Sequence, residues 1–238
     1  MINSNNTNAL GIIFPNAYDE LVSELTSERL MASIPFAGRY RMIDFVLSSM
    51  VNCGIDNITV LVRENYFSLL DHLGSGREWD LSRKNGGLNI FPPYAQKNMG
   101  VYNGRVGMLA SIIGFLKAQK EKYVIMSDTN IAFNFDFKAL LDTHIASEAD
   151  VTIAYTKEEL PESIIQAEEL NKGMYYTLDV EDTRITKIHI NSQETGVQNF
   201  SMNVYVIERE VLIKLINEAY MGGSIYFERD ILMPQLDT

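Results

Sequence analysis

Three arginines, Arg29, Arg39 and Arg41, stand around a Pro35–Gly38 turn in a chain that is otherwise acidic. A guanidinium fork matches the oxygens of a phosphate, so this spacing points to phosphate binding. The same arginines can instead pair with local acids such as Asp44, and composition leaves both readings open. Gly74–Ser75–Gly76–Arg77 has the residue types of a phosphate cradle. It follows a helical run, however, where a glycine ordinarily ends the helix. Cys53 is the single cysteine and has apolar neighbours, which reads as a buried inert thiol rather than a nucleophile. One cysteine excludes an internal disulfide framework and a cysteine-based zinc site. His72, His144 and His189 lie far apart and form no ligand spacing. The chain carries no GxGxxG fingerprint, no GxxxxGK(S/T) loop, no GxSxG elbow and no HExxH helix.

The elements that would position these groups alternate. Ala9–Phe14 is a short, continuous apolar run and predicts a buried strand; Asn57–Val62 is a second, rich in β-branched residues. Tyr123–Met126 and Val151–Tyr155 are further strands. Between them, Ile43–Cys53, Tyr66–Leu73, Gly107–Lys120 and Phe137–Ala146 show helical spacing, the first two stopped by Gly54 and Gly74. Strand alternating with helix predicts βαβ units and a mostly parallel sheet, with ligands beyond the carboxyl ends of the strands. Met174–Val180, Ile185–Ile190 and Asn203–Ile207 then predict an antiparallel edge, with a turn over Glu181–Arg184, before a helix over Arg209–Tyr220. Thr156–Lys172 is polar and acidic and reads as surface helix or loop; Asn3–Asn8 reads as frayed.

The charge is lopsided, with 31 acidic against 20 basic residues and a net charge of −11. That balance argues against nucleic acid or an anionic membrane surface as partner. It leaves room for a small phosphorylated ligand in a local basic pocket. No apolar run is long enough to span a membrane and no secretory pattern follows Met1, so the expected location is the cytoplasm.

At the arginine segment the chain resembles a known family. The run from Glu24 through SIPFAGRYRMIDFVLSSMVNCGI is similar to the bacterial ADP-glucose pyrophosphorylases, the glucose-1-phosphate adenylyltransferases. Their consensus reads L-T-x-x-R-A-K-P-A-V-x-F-G-G-K-Y-R-x-I-D-F. The likeness continues through NGGLNIFPP, YNGRVGML, YVIMSDTNIAFNFDF and FSMNVYVIERE, in order over nearly the whole chain. The resemblance implies an α/β fold: a Rossmann-like nucleotidyltransferase domain with a mixed, mostly parallel sheet flanked by helices. It also implies that residues 1–238 are one such domain, truncated, with the left-handed β-helix domain of the family absent.

The departures from the family carry the functional expectation. The family's glycine-rich triphosphate loop falls on Pro15–Asn16–Ala17–Tyr18–Asp19–Glu20–Leu21, which has no glycine, no arginine and two acids. Backbone without glycine cannot approach a phosphate as closely, and proline lacks the donor. The loop is expected to fill or narrow the triphosphate space. The family's R-A-K-P lysine falls on Met31, its magnesium-binding aspartate on Asn130 and its sugar-phosphate lysine on Asn191. Asp128, two residues before Asn130, is the one substitute that strand alternation could bring to the metal. Gly104 and Ser201 match substrate-pocket positions. Arg29 and Arg41 match two effector positions, while Glu28 stands where the activator site has lysine.

This pattern resembles the D-type subunit of the Gram-positive enzymes. It implies no intact catalytic or metal site and no cofactor in this chain, Mg2+ belonging to the active members. The implied partners are a catalytic subunit in a hetero-oligomer and a phosphorylated effector. The alternatives are an active adenylyltransferase that uses Asp128, and an interaction module with no ligand site.

Overall fold

The computed structural model describes residues 7–15, 19–84, 86–92, 104–159 and 175–236. Strand β1 (Ala9–Phe14) is buried at every position. It runs parallel to β4 (Asn57–Leu61) on one side and to β6 (Tyr123–Asp128) on the other. Strand β5 (Gly87–Phe91) continues the parallel set outside β4. Strands with both faces covered need no polar alternation, which is why β1 reads as a continuous apolar run and β4 buries Ile58, Val60 and Leu61 alongside Asn57 and Thr59. Successive side chains still go to opposite faces. Leu10, Ile12 and Phe14 enter one core with Leu109, Leu116 and Ile216. Ile13 enters the other with Val46, Leu47 and Phe137.

The first core is covered by α4 (Gly104–Ser111), α5 (Ile113–Ala118) and α7 (Arg209–Met221). The second is covered by α2 (Met42–Asn52), α3 (Phe67–Leu73) and α6 (Phe137–Ser147). A single turn, α1 (Ser23–Thr26), precedes a small hairpin of β2 (Pro35–Phe36) and β3 (Tyr40–Arg41), separate from the main sheet. Gly54 and Gly74, at φ +79° and +50°, end their helices as expected.

Beyond β6 the sheet reverses. The long β10 (Val197–Glu208) lies antiparallel to β6, and β7 (Val151–Glu159) pairs antiparallel along the opposite edge of β10. The hairpin of β8 (Tyr176–Glu181) and β9 (Arg184–Ile190) joins β10 through Phe200 and Thr177. Its turn residues Asp182 and Thr183 both have positive φ, 44° and 75°, the two-residue geometry that suits strand twist. The α/β fold with a parallel centre is therefore as expected, with four corrections. Strand β7 follows a helix as in a βαβ unit, yet it pairs with β10 rather than extending the parallel set. The run Gly107–Lys120 is two helices, broken at Ile112. Thr156–Glu159 belongs to β7; the rest of the Thr156–Lys172 segment lies outside the described residues. Asn8 is not frayed: its carbonyl and side chain accept the N–H groups of Tyr123 and Lys122, pinning it beside β6. Residues 3–6 lie outside the described residues. No described helix is long and apolar enough to cross a membrane.

Candidate functional site

The carboxyl ends of β1 and β6 meet at Phe14 and Asp128, which are register partners. Asp128 is fully buried, and its Oδ1 and Oδ2 accept hydrogen bonds of 2.8 and 3.0 Å from Arg105 Nη2. Arg105 is the second residue of α4. Its guanidinium lies over the Phe14 ring at 4.6 Å and near the Tyr205 ring at 5.3 Å. Aromatic faces favour a cation held this way. The other terminal nitrogen, Nη1, is buried without a hydrogen bond among the described residues, 3.6 Å from Glu228 Oε1. Glu228 opens the π-helical turn Glu228–Leu232 and accepts the Tyr205 hydroxyl at 2.7 Å.

Two local devices bring these groups together. Gly104 has φ +67°, and a Cβ there would stand 2.3 Å from the Ile225 carbonyl oxygen. Only glycine fits so close an approach in that conformation. Val106 N–H donates to the same carbonyl, so the start of α4 is seated on the segment that carries Glu228. On β10, the register against β7 shifts between Ser201 and Val204. Within this bulge Asn203 adopts φ +53°, and Ser201 Oγ accepts its N–H at 3.2 Å. Bulges re-aim side chains; here the Asn203 side chain hydrogen-bonds Asp128.

The cluster is a cation between two buried carboxylates. Burial works against the Arg105 charge, but Asp128 and Glu228 outweigh it and hold the guanidinium protonated. Burial pushes the Asp128 carboxyl up to about 6; Arg105 opposes that rise and Glu228 adds to it. Burial and Glu228 push the Tyr205 hydroxyl well up, so it remains a donor. These residues do not fit a divalent cation. Both Asp128 oxygens are bonded to a guanidinium, and Asn130 offers a neutral amide whose Oδ1 is buried with no hydrogen bond among the described residues. Among the described residues no group of three or more His, Cys, Asp or Glu is placed to hold a metal.

The remaining sequence-predicted residues are dispersed. Met31 opens a 3-10 turn, and Asp19 Oδ1 accepts its N–H at 2.7 Å. Ala32 N–H donates to the Pro15 carbonyl. The described ends of the acidic loop thus fold onto residues 31–32; residues 16–18, within the loop expected to narrow the triphosphate space, lie outside the described residues. Asn191, at φ +49°, accepts the Tyr175 N–H through its side chain. There it closes the open end of the β8–β9 hairpin. Arg29 is half-buried and makes no ion pair among the described residues. Arg41 Nη1 donates to the carbonyl and hydroxyl of Ser68, each at 2.6 Å, tying β3 to α3. Asp44, offered as an arginine partner, instead accepts the Arg41 backbone N–H and pairs with His72 at 2.6 Å. Arg39 is exposed over Tyr40. Cys53 is only half-buried, its Sγ 3.8 Å from the Phe135 carbonyl. Gly76, at φ +73°, packs against Leu81 and Leu88 as part of a helix stop.

Sequence reasoning missed Arg105, Tyr205 and Glu228. The signal for Arg105 was the long basic side chain in YNGRVGM, where the resembled family has threonine. Glu228 and Tyr205 left no signal, since nothing local marks them as buried polar partners.

The architecture and chain both match known proteins. The nucleotidyl transferase family model matches residues 21–173. The glycogen biosynthesis protein GlgD of Geobacillus stearothermophilus is 38% identical over 187 residues, 74% of this chain and 54% of that protein. GlgD of Bacillus subtilis strain 168 is 34% identical over 172 residues, 72% of this chain and 50% of that protein. The glucose-1-phosphate adenylyltransferase of Bacillus cytotoxicus is 34% identical over 149 residues, 62% and 39% of the two chains. The chain thus spans about half the length or less of these relatives. A solved Bacillus anthracis structure assigned as a glucose-1-phosphate thymidylyltransferase superposes with a TM-score of 0.64, covering 92% of this chain and 85% of that one. At 14% identity that likeness shows the fold. The parallel centre, the reversed flank and the family match over most of the chain together place this protein in the nucleotidyl transferase family.

Proposed function

We propose that the chain is the nucleotidyltransferase-fold part of a glucose-1-phosphate adenylyltransferase subunit in glycogen biosynthesis, and that this subunit is regulatory rather than catalytic. The reaction served converts ATP and glucose 1-phosphate to ADP-glucose and pyrophosphate. The chain works in the cytoplasm beside a catalytic subunit, in a hetero-oligomer. The observation that carries the reading is Asp128: both its oxygens are bonded to Arg105, so the carboxylate best placed for a metal is already neutralised. Met31 and Asn191 add no positive charge for the substrate phosphates. The GlgD and adenylyltransferase relatives support the pathway.

Nucleotidyl transfer depends on positioning and charge neutralisation more than on covalent protein chemistry. Loss of one preorganised charge-stabilising donor costs ~10²–10³ in rate, so the full-length subunit alone should release pyrophosphate at least ~10³ more slowly than a catalytic subunit. Turnover within about tenfold of a catalytic subunit, on the same scale, overturns the reading. Arg29 and Arg41 are the candidate effector contacts. Calorimetry with a sugar bisphosphate should detect salt-sensitive binding that Arg29→Ala weakens about 10–100-fold, as loss of a charge-assisted hydrogen bond does. Binding unchanged in Arg29→Ala removes that residue from the effector site.

A further inference from the structure

We infer that Arg105 is the resident cation of this domain: its guanidinium occupies the place beside Asp128 that a divalent metal would need, and the chain takes no divalent cation there. The inference rests on the same cluster that carries the functional reading and says what fills the site. Arg105 bonds Asp128 from one terminal nitrogen and faces Glu228 from the other, at 3.6 Å. The two carboxylates are 0% and 6% exposed as side chains. Two such groups cannot both be ionised in an apolar interior without a counter-charge. The aromatic faces of Phe14 and Tyr205 complete an enclosure suited to a flat, delocalised cation. A hydrated metal ion, which wants several oxygen ligands at short range, has no comparable partner in those rings.

The relation between the two cations is therefore competitive, and taking the guanidinium away exposes Asp128 and Glu228 to any small cation. The full-length chain, Arg105→Ala and Arg105→Ala/Asp128→Asn are compared by thermal unfolding and by Mn2+ titration followed by electron paramagnetic resonance. The parent protein should show the same Tm with and without millimolar MnCl2. It should also show no Mn2+ binding that Asp128→Asn removes. Arg105→Ala should lose about 6–20 °C in Tm, as expected when one partner leaves a buried ion pair in a chain of this size. Part of that loss should return with Mn2+, with no recovery in the double variant. If Arg105→Ala does not fold, Arg105→Met keeps the volume without the charge and is read the same way.

Mn2+ bound by the parent protein through Asp128 overturns the inference. So does an Arg105 variant that folds with the parental Tm, or one that gains nothing from Mn2+. Failure here is separable from failure of the functional reading. A parent chain that binds Mn2+ through Asp128 but releases no pyrophosphate overturns only the resident cation. A parent chain that releases pyrophosphate without Mn2+ at Asp128 overturns only the regulatory role.

Discussion

Asp230 and Asp128 are shifted in opposite directions, the first down and the second up. Asp230 accepts the N–H groups of Ile225 and Tyr226 at 2.8 and 2.9 Å and the Arg229 Nε–H at 2.6 Å. The Arg229 hydrogen bond first, then the backbone donors, pull its carboxyl down to about 2 from 3.8. A carboxyl depressed in the folded state stabilises above its unfolded value and loses that contribution as pH falls through the folded value. Asp230→Asn should therefore lower Tm at neutral pH, and the gap to the parent should close between about pH 4 and 2 in a pH series of thermal melts. Asp128 has the reverse sign. Raised to about 6, mainly by burial, it favours the fold most when protonated, and that contribution declines as pH rises from about 4 through 6. Arg105 limits the decline by stabilising the ionised form. Arg41 is a different case, since its guanidinium already serves Ser68. Arg41→Ala should cost about 1–3 kcal/mol in urea unfolding, as loss of charged hydrogen bonds does. Arg29→Ala should stay within about 0.5 kcal/mol, because Arg29 makes no ion pair among the described residues.

At the scale of elements, the candidate site depends on where α4 begins. Gly104 sets that start through its positive φ and its contact with Ile225. Gly104→Ala should destabilise by at least about 1–3 kcal/mol from backbone conformation, more once the 2.3 Å approach to Ile225 is added. Chemical denaturation measures it, and a change under 0.5 kcal/mol would mean that α4 can be reseated. Much of this level was legible. Strand β1 is a continuous apolar run, and β4 and β6 are mainly apolar, because both faces of each are covered, and Gly54 and Gly74 mark real helix ends. The break at Ile112 was not legible, since it carries no glycine or proline and the apolar spacing runs through it. The antiparallel placement of β7 was hidden for another reason: an apolar run reveals burial but not the direction of its neighbour. The bulge at Ser201–Val204 was equally silent, because Asn203 in the left-handed region looks like any polar residue in a strand. Of the site, Asp128 was legible only beside the expected aspartate position. Arg105 was not legible, because the helical spacing begins only at Gly107 and its carboxylate partners come from β6 and from Glu228, far away in sequence.

For the whole molecule, the sheet joins distant parts of the sequence. Strand β1 lies at the centre of the parallel set, between β4 and β6, and its Phe14 pairs with Asp128. The Asn8 carbonyl also accepts from Tyr123. During synthesis, then, the apolar six-residue β1 is made more than a hundred residues before the strand that covers its second edge. At ~5–20 residues per second that edge stays uncovered on the ribosome for on the order of 10 s. An open edge of this composition is a template for wrong pairing. The nascent chain should therefore be most prone to aggregate before β6 emerges, and most dependent on chaperones over that interval.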